Sequence, residues 1–172
     1  MKKNIAFDSA PATDAGRAPR FVDNYLAYLL AQASHRISAE FHLQARAAGL
    51  SVTEWRVLAS LEGSPGETIG ALAAAALTKQ PTLSKVVQRM EAEGLLARTG
   101  VRSDRRQTRV RITSKGHALV ARLCDAALAH QEAVLRPFGH ERAAQLMDML
   151  RALMGLPLGA AEALEPEDDA ED

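Results

Sequence analysis

Between residues 68 and 113 the apolar residues change period, from the three-and-four spacing of a helix to the alternation of a strand, and few folds accept that order in so short a stretch. Thr68 caps a helix over 69–76 whose packing face is Ile69, Leu72, Ala73 and Ala76. A tight break at Leu77-Thr78 leads to a second helix over about 80–93, with Leu83, Val86, Val87 and Met90 turned inward. Pro81 is tolerated there because first-turn amides have no intrahelical acceptor. Gly94 followed by Leu95 has the form of a glycine cap with its hydrophobic contact. Residues 95–99 and 108–113 are then short extended segments joined by a polar loop, and they predict a two-stranded hairpin. Two short helices, a tight break and a hairpin predict a mainly α fold: a winged helix-turn-helix with a two-stranded β wing.

Helices flank this unit. Val22, Leu26, Leu29, Leu30, Ala33, Ile37 and Phe41 form one apolar stripe over 21–48, and Gly49 ends it. Ser51-Val-Thr-Glu54 is a capping box opening a helix over 52–62 that carries Trp55, Val57, Leu58 and Leu61. Thr113 or Ser114 caps a helix over about 115–135, which Pro137 and Gly139 break. A last helix over about 140–154 carries Ala143, Leu146, Met147, Leu150, Leu153 and Met154. The expected division is a flexible arm at 1–20, helices at 21–48 and 115–156, a winged unit at 50–114 and a disordered acidic tail at 157–172.

Net charge is zero over 172 residues, yet charge is segregated. Residues 79–115 hold ten Lys and Arg against three acids, while 160–172 hold seven acids and no base. A cationic block of +7 in an otherwise balanced chain predicts a polyanionic partner, with double-stranded DNA the first candidate. A helix fits the major groove, and a hairpin beside it can lay cations into the minor groove. On the second helix Gln80, Pro81, Thr82, Ser84, Lys85, Gln88 and Arg89 face outward, suited to base edges and phosphates. On the hairpin the candidates are Asp104, Arg105 and Arg106.

Other functions lack residues to carry them. No phosphate-binding glycine loop, His-Glu-x-x-His or nucleophile elbow is present, so neither an enzyme nor a cofactor is expected. The five histidines are scattered without a metal-ligand spacing. Cys124 lies mid-helix, away from cations, and is expected to pack rather than to sense oxidants; a redox sensor through Cys124 is one alternative reading. An architectural or ligand-independent DNA-binding protein is another. A lone cysteine, the absence of an export signal after Lys2-Lys3 and the absence of a long apolar run predict a cytoplasmic protein without a membrane span.

The chain resembles the MarR family of bacterial winged-helix regulators over roughly residues 26–155. The matching residues are Leu50-Ser-Val-Thr-Glu-Trp55-Arg-Val-Leu58, Leu72-Ala73, Thr82-Leu-Ser84, Arg89-Met-Glu-Ala-Glu-Gly94-Leu95, Asp104-Arg-Arg106 and Ile112-Thr-Ser-Lys-Gly116. The resemblance implies a homodimer in which the helices at 21–48 and 115–156 of both copies form a joint bundle. It implies a regulator, most often a repressor, on a pseudo-palindromic operator, with Arg106 in the minor groove and Asp104 orienting it. Where Pro81 stands the family often carries a longer polar residue, so base preference does not transfer.

The first helix carries one further signal. Opposite its stripe lie Asn24, Tyr28, Ala31, Ser34, His35, Ser38 and His42, polar yet uncharged, which predicts a subunit contact or a ligand pocket rather than a solvated face. Arg56, next to Trp55, suits a carboxylate through paired hydrogen bonds. Many relatives release DNA on binding small aromatic acids, and the resemblance therefore implies such an effector. The expected lining is Tyr28, Ser34, His35, Ser38, Trp55 and Arg56.

Overall fold

The computed structural model describes residues 18, 20–101 and 104–156, with backbone alone at 101 and 104–108. The arm at 1–17 and the acidic tail at 157–172 lie outside the described residues. The chain divides into two compact units, Met1–Ser38 and Ala39–Asp172.

In the first unit a 3-10 turn, Phe21–Asn24, precedes α1 (Leu26–Ala47), which continues into the second. Arg20 holds the turn through Asp23, donating to its carboxylate from both the backbone N–H and the guanidinium. The expected helix over 21–48 therefore starts late. Its apolar stripe is left largely uncovered within the chain. Leu26, Leu29 and Ile37 are exposed, and α1 buries only Phe41 and Ala45.

The second unit contains the rest: α2 (Val52–Leu61), β1 (Glu67–Thr68), α3 (Ile69–Ala76), α4 (Gln80–Ala92), β2 (Leu96–Val101), β3 (Asp104–Ile112), α5 (Ser114–Leu135) and α6 (Gly139–Met154). The capping box forms as its sequence dictates. The Glu54 N–H donates to Ser51 Oγ at 3.3 Å, and the Ser51 N–H donates back to Glu54 Oε2 at 2.8 Å. Thr68 caps α3 by accepting from the Ala71 N–H, and Thr113 caps α5 by accepting from the Gly116 N–H. Gly94, at φ +74°, ends α4 in the left-handed region, and the Leu95 N–H reaches back to the Met90 carbonyl at 2.9 Å.

The hairpin belongs to a three-stranded antiparallel sheet of order β1-β3-β2. β2 and β3 pair with Leu96 opposite Ile112 and Thr99 opposite Arg109. β1 adds Glu67 and Thr68 opposite Val110 and Arg109. Sequence reading missed this strand, because two residues have no period. The core gathers Val57, Leu58 and Leu61 of α2, Leu72 and Ala76 of α3, Leu83, Val87 and Met90 of α4, Val110 of β3 and Val120 of α5. α6, in contrast, buries none of its residues, although its apolar positions predict a packing face.

Candidate nucleic-acid interface

α4 presents two faces. Leu83, Val87 and Met90 are buried, while Gln80, Pro81, Thr82, Ser84, Lys85, Gln88 and Arg89 are all exposed. The N-cap position, Lys79, gives no side-chain cap, and Pro81 sits in the first turn where no amide is missed. Ser84 Oγ donates back to the Gln80 carbonyl at 3.0 Å, so this hydroxyl has an intrahelical partner in the absence of a base edge.

Four of the seven cations of the block whose side chains are described are already engaged, which sequence reading did not foresee. Arg89 donates to Glu54 Oε1 at 2.7 Å, tying α4 to the start of α2. Arg98 donates to Glu91 at 2.6 Å. The Arg109 guanidinium reaches the Gly66 carbonyl at 3.0 Å, and Lys115 donates to the Glu93 carbonyl at 2.7 Å, closing the end of α4. Lys79, Lys85 and Arg111 are exposed and unengaged among the described residues. Asp104, Arg105 and Arg106 lie on β3; their side chains are outside the described residues.

Glu54 is the one buried charged residue among those described. Burial alone would disfavour its ionised form, but the Ser51 N–H and hydroxyl and the Arg89 guanidinium outweigh that and hold its carboxyl below the usual range. The same side chain thus starts α2 and braces α4.

Turning to the residues expected to line an effector site, Tyr28, Ser34 and His35 are exposed on α1 and Ser38 is half-buried. Trp55 and Arg56 are half-buried on α2. The Trp55 ring packs 4.9 Å from Phe41, as part of the core margin. Arg56 is not free: its Nη1 donates to the Ala76 carbonyl at the end of α3, at 3.1 Å. His42 on α1 is held below its usual value, first by burial and then by the nearby Arg56 and Arg46. Cys124 is half-buried, and burial, followed by Glu62 and Asp125, pushes its thiol up, opposite to what a reactive thiolate needs. Among the described residues no group of three or more His, Cys, Asp or Glu could hold a metal ion, and no helix is long and apolar enough to cross a membrane.

The fold is shared with known proteins. The sequence profile of the MarR family matches residues 48–107. A MarR family transcriptional regulator from Silicibacter pomeroyi DSS-3 superposes with a TM-score of 0.71 at 40% identity, over 79% of this chain and 97% of that one. The chain belongs to the MarR family. It is a MarR-family transcriptional regulator, and its relatives are regulators rather than enzymes. The homoprotocatechuate degradative operon repressor of Escherichia coli is 27% identical over 131 residues, covering 76% of this chain and 88% of the relative. The transcriptional repressor CouR, solved bound to a 23-mer DNA duplex, superposes with a TM-score of 0.65 at 26% identity, over 77% of this chain and 94% of that one.

Proposed function

We propose that this MarR-family chain binds double-stranded DNA as a homodimer and represses transcription from a pseudo-palindromic operator, in the cytoplasm. The observation that carries the reading is the outward face of α4, where Gln80, Thr82, Ser84, Lys85 and Gln88 are exposed above a buried Leu83-Val87-Met90 seam. Two copies of α4 about 34 Å apart enter successive major grooves. Gln80, Thr82 and Gln88 read base edges, Lys79 and Lys85 hold phosphates, and the wing residues Arg105 and Arg106, with Asp104, approach the minor groove. CouR bound to DNA supports the assignment. Residues 50–114 form the DNA-binding part of the proposal, and 21–48 with 115–156 the dimerising part. Exposed Leu26, Leu29 and Ile37 in the first unit, and Leu128, Met149 and Met154 in the second, support a partner copy.

The second part of the proposal is release by a small aromatic acid, with Arg56 meeting its carboxylate and Trp55 beside it as a further candidate contact. The name of the Escherichia coli relative, a repressor of an operon that degrades an aromatic acid, supports it. A ligand of this kind acts only through its preference for the DNA-incompetent state.

Selection of duplexes from a random pool followed by footprinting tests the first part. The expected result is a protected inverted repeat with half-sites one helical turn apart. Spreading protection without a repeat would instead mark an architectural protein. Titration of the selected complex with aromatic acids tests the second part, with release expected and no release at millimolar ligand against it.

A further inference from the structure

We infer that Arg56 is the positioning residue of the helix-turn-helix: its guanidinium holds the carboxyl end of α3 so that the left-handed turn at Leu77 delivers α4 at a fixed angle. The inference rests on the DNA-binding reading for its consequence, and on the hydrogen bond to Ala76 for its geometry.

The last carbonyls of a helix have no intrahelical donor and carry partial negative charge. At the end of α3 the Leu77 N–H donates to the Ala74 carbonyl at 3.2 Å, and the Thr78 N–H to the Ala73 carbonyl at 3.0 Å. The Ala76 carbonyl stands beyond those two, and Arg56 supplies its donor from α2 at 3.1 Å. The residue that follows, Leu77, is the single non-glycine residue at positive φ among those described, at φ +55° and ψ +47°. Leucine adopts that conformation at a cost, so something outside the turn must hold it. Leu77 does not hold itself, since its side chain is 75% exposed. Three residues later α4 begins. Arg56 is therefore the side chain that joins α2 to the turn aiming the recognition face. No ion pair ties it to an acid among the described residues, and on α1 His42 lies near enough to feel its charge.

Hydrogen exchange on the full-length dimer, together with DNA selection, tests this. In Arg56→Met the Leu77 and Thr78 amides should exchange about tenfold faster than in the parent, while Val57 and Leu58 keep their protection, because one charge-assisted bond is lost at the turn alone. The affinity ratio between a duplex selected by the parent protein and a random-sequence duplex should fall about tenfold as well. Arg56→Lys, which keeps a cationic donor, should recover part of both effects and carries the comparison should the methionine variant fail to fold. Unchanged exchange at Leu77 and Thr78 in both variants overturns the inference. So does equal acceleration at Val57 and Leu58, which marks general loosening. Failure of the parent protein to select any sequence overturns the DNA-binding reading instead, and the exchange pattern then judges the role of Arg56 at the turn by itself.

Discussion

Two residues carry stress that ordinary packing rules would not place where it is found. Leu77 is a leucine where the backbone asks for glycine, and its side chain gains little burial in return. Leu77→Gly is expected to raise the unfolding free energy by about 1 kcal/mol in urea melts, by removing the left-handed penalty. Glu54 is stressed differently, as a buried carboxylate satisfied from three sides by Ser51 and Arg89. Glu54→Gln should lower stability by about 1–3 kcal/mol at neutral pH, since donors are left poorly paired. Because the folded-state pKa of Glu54 lies below its unfolded value, its contribution is present above the ordinary carboxylate range and is lost as pH falls through the lowered value. The gap between parent and variant should accordingly narrow in melts repeated in the acid range. His42 works in the same pH direction by the opposite chemistry. Its charged form is disfavoured in the fold, so protonation favours the unfolded chain, and stability declines as pH drops below the ordinary imidazole range.

Among the elements, the joint between wing and α5 is tight. Thr113 donates its hydroxyl to the Gly94 carbonyl at 2.7 Å while capping α5, so one residue fastens the end of α4 to the start of the next helix. Gly116 is buried in the first turn of α5, where a Cβ would collide with the Leu95 carbonyl and meet Ile112 Cγ1 at 2.8 Å. Gly116→Ala is expected to cost about 1–3 kcal/mol, read by thermal or urea unfolding, since the opposing atoms are mainly backbone and cannot yield. The glycine is needed here for close approach rather than for an unusual dihedral angle. Gly66 combines both demands: it sits at φ +120°, and a Cβ there would meet Arg111 Cγ at 2.7 Å, against the sheet edge that β1 completes.

At the scale of the whole molecule, the charge and the apolar surface each leave something for a partner. Lys79, Lys85 and Arg111 are the unengaged cations of the block among the described residues, roughly six in the proposed dimer, with a salt slope of about −5 before Arg105 and Arg106 are counted. DNA affinity is therefore expected to fall by about 10³ between 50 and 200 mM salt, measured by fluorescence anisotropy. Separately, α1 and α6 leave leucines and methionines in water, Met154 at 86% exposure among them. Leu29→Glu should weaken the proposed self-association at least about tenfold in sedimentation experiments, because it puts a charge on the exposed apolar face of α1.

How much of this was legible in the sequence follows from the range of the interactions involved. The caps at Ser51 and Thr68, the glycine end at Gly94, the helix boundaries of α3 and α4 and the existence of the hairpin were readable, because each depends on residues near in sequence or on one uninterrupted period; the choice of Thr113 over Ser114 and the extension of β2 and β3 into the expected loop at 100–107 were not. The exposed face of α4 followed from the same spacing. Three further features were not readable. β1 is too short to carry a period and exists only because β3 offers it an edge. Arg89 looked like a phosphate ligand until α2, 35 residues earlier, brought Glu54 to it. Nor did the sequence show that Arg56 donates to the last carbonyl of α3, 20 residues on. Sequence alone determined where the long helices and the hairpin lie and which side of each is apolar, β1 excepted, since those are local matters of period and capping. Tertiary structure decided which charges are spent inside the protein and which are left unengaged, since a cation pairs with whatever acid or carbonyl the packed helices bring within about 3 Å.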